Sequence, residues 1–355
     1  MKATATLQPT SAGTGLILVS KFALLPLILA VSILLGVSFG AVATPFPEVM
    51  DIIARELGLP LGHVWPATQE TIIWQIRMPE VITAVLIGAA LSLAGAIFQA
   101  VLRNPLADPF VIGTSSGAAL GVAIAFVFNV SFEWLGFGGV QLFAFAGAVA
   151  AVALVYSLAR VGGRTPILTF LLAGFAVSTL MVAGMWLVAY EGGSEAHVLN
   201  WTMGSLGSSD WNQIAVVGPT ILVLIGISLF FIRDLNALLL GEDHAGHLGL
   251  KAERSKLVLI ALASLLTALA VSVAGIIGFV GLVVPHIARL IYGANHRIVL
   301  ISSTIIGAAY LCLSDLAART LQGSGGELPL GIVTAVIGAP VFLYLLRRSG
   351  KAYAF

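Results

Sequence analysis

Apolar residues run along this chain in long blocks separated by short polar breaks. A helix needs roughly 20 mostly apolar residues to cross a bilayer. About ten such blocks occur, centred near residues 30, 91, 121, 150, 178, 223, 267, 284, 307 and 337. The pattern predicts an all-α polytopic membrane protein of about ten transmembrane helices, a single domain over residues 1–355. Residues 1–20 precede the first span as a tail, and 233–256 form the longest polar loop.

The sharpest local pattern covers residues 80–121, two apolar spans joined by Arg103-Asn104-Pro105-Leu106-Ala107-Asp108-Pro109. Donors, acceptors and helix breakers crowd into a turn where a membrane helix would otherwise simply stop. Upstream of it, Ser92-Leu93-Ala94-Gly95-Ala96-Ile97, followed by Pro105, aligns without gaps on Ser272-Val273-Ala274-Gly275-Ile276-Ile277, followed by Pro285, at an offset of 180 residues. Five spans separate the copies, and an odd number reverses direction, so the chain reads as an inverted repeat of two five-helix halves. Chance similarity between small-residue helices is the competing explanation. Gly113, Gly117 and Gly121 recur every fourth residue, as do Gly88, Ser92 and Ala96, and each set predicts a seam of close helix packing.

Composition removes the water-soluble alternatives. Hydrophobic residues make up 59% and charged residues 9%, with mean hydropathy +1.05, whereas soluble domains carry about 25% charged residues. Assigning loops to alternate sides puts fourteen of the seventeen Lys and Arg residues on one face and only Arg55, Arg77 and Arg319 on the other. The positive-inside rule then predicts a multi-pass protein with both termini cytoplasmic. All six tryptophans fall at the opposite, outer ends, as interfacial rings should. The apolar run from about Phe22 exceeds the ~7–15 residues of a signal peptide, so it reads as a retained first helix despite Ala41-Val42-Ala43 after it. The single Cys312 lies in an apolar span and reads as a buried thiol.

Several function classes lose support for lack of residues. Ion-coupled carriers keep ionisable groups deep in their spans, and here only Asp315 and the histidines qualify. Asp315 reads as an i,i+4 helix-end pair with Arg319, and His286, after Pro285, as a structural imidazole bonded to a freed carbonyl. An intramembrane enzyme would need a nucleophile with a base; Ser115-Ser116 have none in view. Glu242, Asp243, His244 and His247 fit a solvated helix better than a metal site, so no metal, cofactor or catalytic residue is expected in this chain. Nothing suggests nucleic acid as a partner. No G-x-x-x-x-G-K-[ST] occurs, so ATP-driven work has to come from another subunit.

The loop RDLNALLLGEDHAGHLGLKAERSK reads as two short helices, 235–240 and 242–248, divided at Gly241 and ended by Gly249. Leu238, Leu239, Ala245 and Leu248 make an apolar face that wants a protein surface to dock on. With the 80–121 stretch, GFVGLVVPHIARL near residue 280 and GELPLGIVTAVIGAPVFLYLLRR near the end, the chain resembles the permease subunits of ABC importers for iron-siderophore, haem and cobalamin.

That resemblance implies the type II ABC importer permease fold. It also implies a homodimer, two ATP-binding subunits carrying ATP and Mg, an external substrate-binding protein, and surrounding membrane lipid. Gly241, Glu242, Ala245, Leu248 and Gly249 match the element that couples to the ATPase. Arg77 and Arg319 match arginines offered to acidic residues of the binding protein, although Glu80 replaces the family's frequent second arginine and leaves Arg77 an i,i+3 partner of its own. Asn104, Pro105 and Leu106, with Ile167, Leu168 and Thr169, match a cytoplasmic gate, simple helix termination being the plainer alternative. The cargo implied is a metal chelate, ferric siderophore or haem before cobalamin. A proton-coupled secondary transporter and an intramembrane enzyme are the rival functions.

Overall fold

The computed structural model describes residues 11–40, 44–59, 65–134, 136–239, 247, 249–293, 295–321 and 326–349. The helices are α1 (Ser11–Ser38), α2 (Phe46–Glu56), α3 (Ala67–Val101), α4 (Thr114–Val127), α5 (Gly139–Ala159), α6 (Ile167–Glu191), α7 (Glu195–Thr202), α8 (Trp211–Phe230), α9 (Ile232–Leu239), α10 (Ala252–Ala274), α11 (Val280–Tyr292), α12 (His296–Thr320) and α13 (Leu330–Ser349). The only strands among the described residues, Glu133–Trp134 and Phe137–Gly138, form a minimal hairpin. Six helices, α3, α5, α6, α8, α10 and α12, are long and apolar enough to span a membrane. Shorter apolar helices cover Phe22–Ser38, Thr114–Val127, Val280–Tyr292 and Leu330–Leu345. The first helix begins at Ser11, inside the stretch read from sequence as a tail.

Helix α3 is the axis of the bundle, its apolar window 83% buried, and it packs on α12, α10, α11 and α8. Lipid tails are as apolar as leucine, so tight van der Waals fit rather than exclusion of water has to hold these helices together. The small-residue seams supply that fit. A Cβ on Gly95 would overlap the Gly281 carbonyl of α11, and one on Gly88 the Gly307 carbonyl of α12. Between them Ser92 Oγ donates 2.8 Å to the Ser303 carbonyl, an interhelical hydrogen bond that also satisfies a buried hydroxyl. Gly117 and Gly121 of α4 meet Gly147 and Phe143 of α5 in the same way. By contrast α6 is only 17% buried and α8 28%.

The two aligned segments differ in structure beyond Ala94 and Ala274. Helix α3 continues to Val101, whereas α10 stops at Ala274 and Gly275 turns to φ +71. Unwound backbone at this depth needs internal partners. They come from the 203–205 segment: Ser205 N–H donates to the Ala274 carbonyl, while the Gly204 and Met203 carbonyls accept from Leu330 and Gly331 at the start of α13. The irregular stretch closes at Phe279, a bulky residue with φ +68. Cys312 is buried as expected, its Sγ 3.2 Å from the Ser32 carbonyl.

Candidate functional site

The 103–113 turn is built by its own polar side chains. Asn104 Oδ1 accepts the Leu106 N–H at 3.0 Å, and Asp108 Oδ1 accepts the Phe110 N–H at 2.8 Å, starting the 3-10 turn Pro109–Ile112. Desolvation pushes the Asp108 carboxyl up to about 6, the Phe110 N–H acting against that rise. The 3-10 turn lies against α6, where Gly174 permits close approach to the Val111 carbonyl. Beside it lies a cavity of about 460 Å³ lined by Asp108, Phe110, Phe175, Ser178, Phe279 and Leu282 among others.

Of the residues assigned to a gate, Pro105 caps no helix but stiffens the turn, and Leu106 is 44% exposed. Ile167 opens α6 and packs against the core, Leu168 is 70% exposed, and Thr169 is half-buried. Leu106 and Leu168 thus both present apolar surface, and no contact that would make them a plug is formed within the chain's described hydrophobic clusters.

The loop read from sequence as the coupling element is described only at its two ends. Gly241, Glu242, Ala245 and Leu248 lie outside the described residues, as does the Leu239 side chain, while Gly249 has φ +82 with open space beside it. The first short helix runs Ile232–Leu239 rather than 235–240. Leu238, read as part of a contact face, is 3% exposed and belongs with Leu235 to the chain's own core. Two polar latches hold α9 down: Ser255 Oγ donates to Asp234 Oδ2 at 2.6 Å, and the His296 N–H donates to Asn236 Oδ1 at 3.4 Å. At the start of α10, Glu253 Oε2 accepts the Thr165 N–H at 3.2 Å, Lys256 Nζ donates to the Thr165 carbonyl at 3.5 Å, and the two side chains pair at 2.5 Å.

Arg77 and Arg319 are placed differently from the sequence reading. Both are buried within the chain, at about 4% exposure. The π-helical stretch Thr71–Arg77 carries Arg77 inward, where Nη1 donates to the Val37 and Ser38 carbonyls at 3.1 and 3.2 Å. Arg319 binds Asp315 at 2.8 Å, as its i,i+4 spacing predicts, and donates to the Gly36 carbonyl at 3.0 Å. Glu80 lies 3.6 Å from the Arg319 Nε. The two guanidiniums therefore clamp the last carbonyls of α1, where a helix dipole favours cations. Their burial follows from the register of α3 and α12, which loop-by-loop charge counting does not resolve.

Other residues depart from expectation or were not singled out. His286 finds no carbonyl: both ring nitrogens are buried without a hydrogen-bond partner among the described residues. Gln99 donates to the Gly281 and Leu282 carbonyls at 3.2 Å and accepts from Arg289, tying α3 to α11 across more than 180 residues of sequence. No group of three or more metal-ligating side chains occurs among the described residues.

Comparison with known proteins gives the same direction as the motifs. The model of the FecCD transport family matches residues 28–348. The cobalamin import system permease protein BtuC of Halobacterium salinarum is 40% identical over 323 residues, covering 88% of this chain and 86% of its own length. The hemin transport system permease protein HmuU of Yersinia pestis is 36% identical over 327 residues, covering 91% and 94%. Among solved structures, an inward-facing conformation of a metal-chelate type ABC transporter superposes with a TM-score of 0.78 at 31% identity, over 94% of this chain and 99% of that one.

Proposed function

The chain belongs to the FecCD transport family, and from that premise we propose that it is the membrane permease subunit of an ATP-driven importer that carries a metal chelate or tetrapyrrole into the cytoplasm. The observation that carries this reading is the family match over residues 28–348, which runs from within the first apolar helix through the last. In this reading those ten helices all cross the membrane, in two inverted halves, with both termini cytoplasmic. Two copies form the path, two separate subunits bind and hydrolyse ATP, and an external binding protein delivers the cargo. In this reading the second copy packs on α6, a weakly buried helix that also borders the cavity with Asp108 and Phe279 through Phe175 and Ser178. Rigid-body movement of helices would open and close the path.

The cargo reading is an iron chelate or haem, with cobalamin next. Relatives named for cobalamin and for hemin flank it, and both are large metal-centred ligands, which suits apolar, small-residue walls. Reconstitution tests the whole proposal. The complex isolated with its ATPase and binding protein, placed in vesicles, should accumulate one of ferric siderophore, haemin or cobalamin only when ATP is supplied to the ATPase side. Uptake driven by a proton gradient without nucleotide would replace the reading with a secondary transporter, and chemical conversion of the cargo with an enzyme.

A further inference from the structure

We propose that Glu253 and Lys256, at the start of α10, form a positioning clamp that transmits movement of the ATPase-coupling loop to the start of α6. The inference rests on the importer reading above and names the residues through which that site acts. The coupling loop ends where α10 begins, and three polar side chains within one turn point to different neighbours. Ser255 is bonded to Asp234 of α9, on the loop's other arm. Glu253 and Lys256 instead grip Thr165, 88 and 91 residues away in sequence.

The grip has two points on one residue. The Glu253 carboxylate accepts the Thr165 N–H and the Lys256 ammonium donates to the Thr165 carbonyl, so the two peptide units that flank the Thr165 Cα are both held. Thr165 is 5% exposed and Lys256 4%, which shields the lysine bond from water, while the Glu253 side chain is 33% exposed. A buried ammonium is tolerated only when paired, and the 2.5 Å contact with Glu253 supplies the pair.

What Thr165 holds is the gate arm. Residues 161–164 form a tight reversal, with Val161 bridged to Arg164 and Gly162 and Gly163 at positive φ. On the other side Pro166, with φ −62, N-caps α6, and the Phe170 N–H donates to its carbonyl. A ring-locked φ absorbs little motion. Displacement of Thr165 is therefore passed to the axis of α6, a helix with little other burial to anchor it. Leu168, 70% exposed, sits on the first turn so moved.

The test uses the assembled complex in a Cys312→Ala background, with Leu168→Cys as reporter. In the unaltered clamp, labelling of that cysteine should change between the nucleotide-free and ATP-trapped states. With Lys256→Met, and with Glu253→Gln/Lys256→Met, which leaves no unpaired charge, labelling should become insensitive to nucleotide and cargo moved per ATP should fall at least tenfold. Lys256→Arg, which keeps the cation, should restore both. If the Met variants merely lower the thermal midpoint while labelling still follows nucleotide and cargo per ATP is unchanged, the pair is only a structural staple and the inference is overturned. A complex with the intact clamp that moves no cargo with ATP would instead overturn the importer reading on which it rests.

Discussion

Arg77 and Arg319 were conspicuous in the sequence because they lie against the charge bias of their side, yet the structure gives that rarity a different cause. Each guanidinium satisfies carbonyls at the end of α1, and Arg319 also neutralises Asp315. Removing one partner from a buried pair leaves an uncompensated charge and costs about 3–5 kcal/mol. Arg319→Met is therefore expected to lower the thermal midpoint of the purified protein sharply, because Asp315 and Glu80 lose their cation. Asp315→Asn should cost less, since the amide oxygen still accepts from Arg319. Whatever Arg319→Met protein remains folded should capture an external binding protein as well as the parent does, measured by surface binding at matched folded fraction. Loss of capture with an unchanged midpoint would reinstate the arginine as a docking group. The i,i+4 pair was legible from spacing alone. The inward turn of Arg77 was not, because it depends on the π-helical stretch Thr71–Arg77, which no composition rule marks.

At the scale of helices, what the sequence disclosed well was the packing that small residues permit. The four-residue spacing of Gly88 and Ser92 placed them on one face, and in the fold that face meets α12. Gly95, one turn further on, marks the crossing with α11, where a side chain would strike the Gly281 carbonyl. Gly95→Ala should therefore force the two helices apart and cost roughly 1–3 kcal/mol by overpacking. Gly226→Ala on α8 is the matched control, since nothing lies within 4 Å of its added methyl. There the better helix propensity of alanine should leave stability unchanged or raise it by about 0.5–1 kcal/mol. Thermal unfolding of the two variants in detergent checks the ranking, and equal midpoints would remove the close-crossing argument. Long-range ties stayed invisible for a plain reason. Gln99 with Arg289 and Thr165 with Glu253 join positions with no periodic relation, so only the folded chain brings them together.

For the whole molecule, the uneven burial of the helices bears on where the proposed second copy would fit. Helix α3 is 83% buried within one chain and α6 only 17%. Apolar exposure alone does not separate a lipid-facing helix from an interface, because both surfaces are greasy. Position does: α6 borders the cavity with Asp108 and Phe279 through Phe175 and Ser178. A path shared between two copies has to run along the helix that lines it. In a two-fold assembly a residue near the axis meets its own counterpart. Leu180 and Leu187 are each 64% exposed and two helical turns apart, hence on one face of α6, whereas Leu27, 57% exposed, lies on α1. Single cysteines at 180 and 187 in a Cys312→Ala background should form disulfide-linked dimers in native membranes on mild oxidation, and cysteine at 27 should not. The cross-link at 180 or 187 should also respond to ATP if the copies move against one another during transport. Dimers formed equally from all three positions, or from 27 alone, would mean that α6 faces lipid and that the path lies elsewhere.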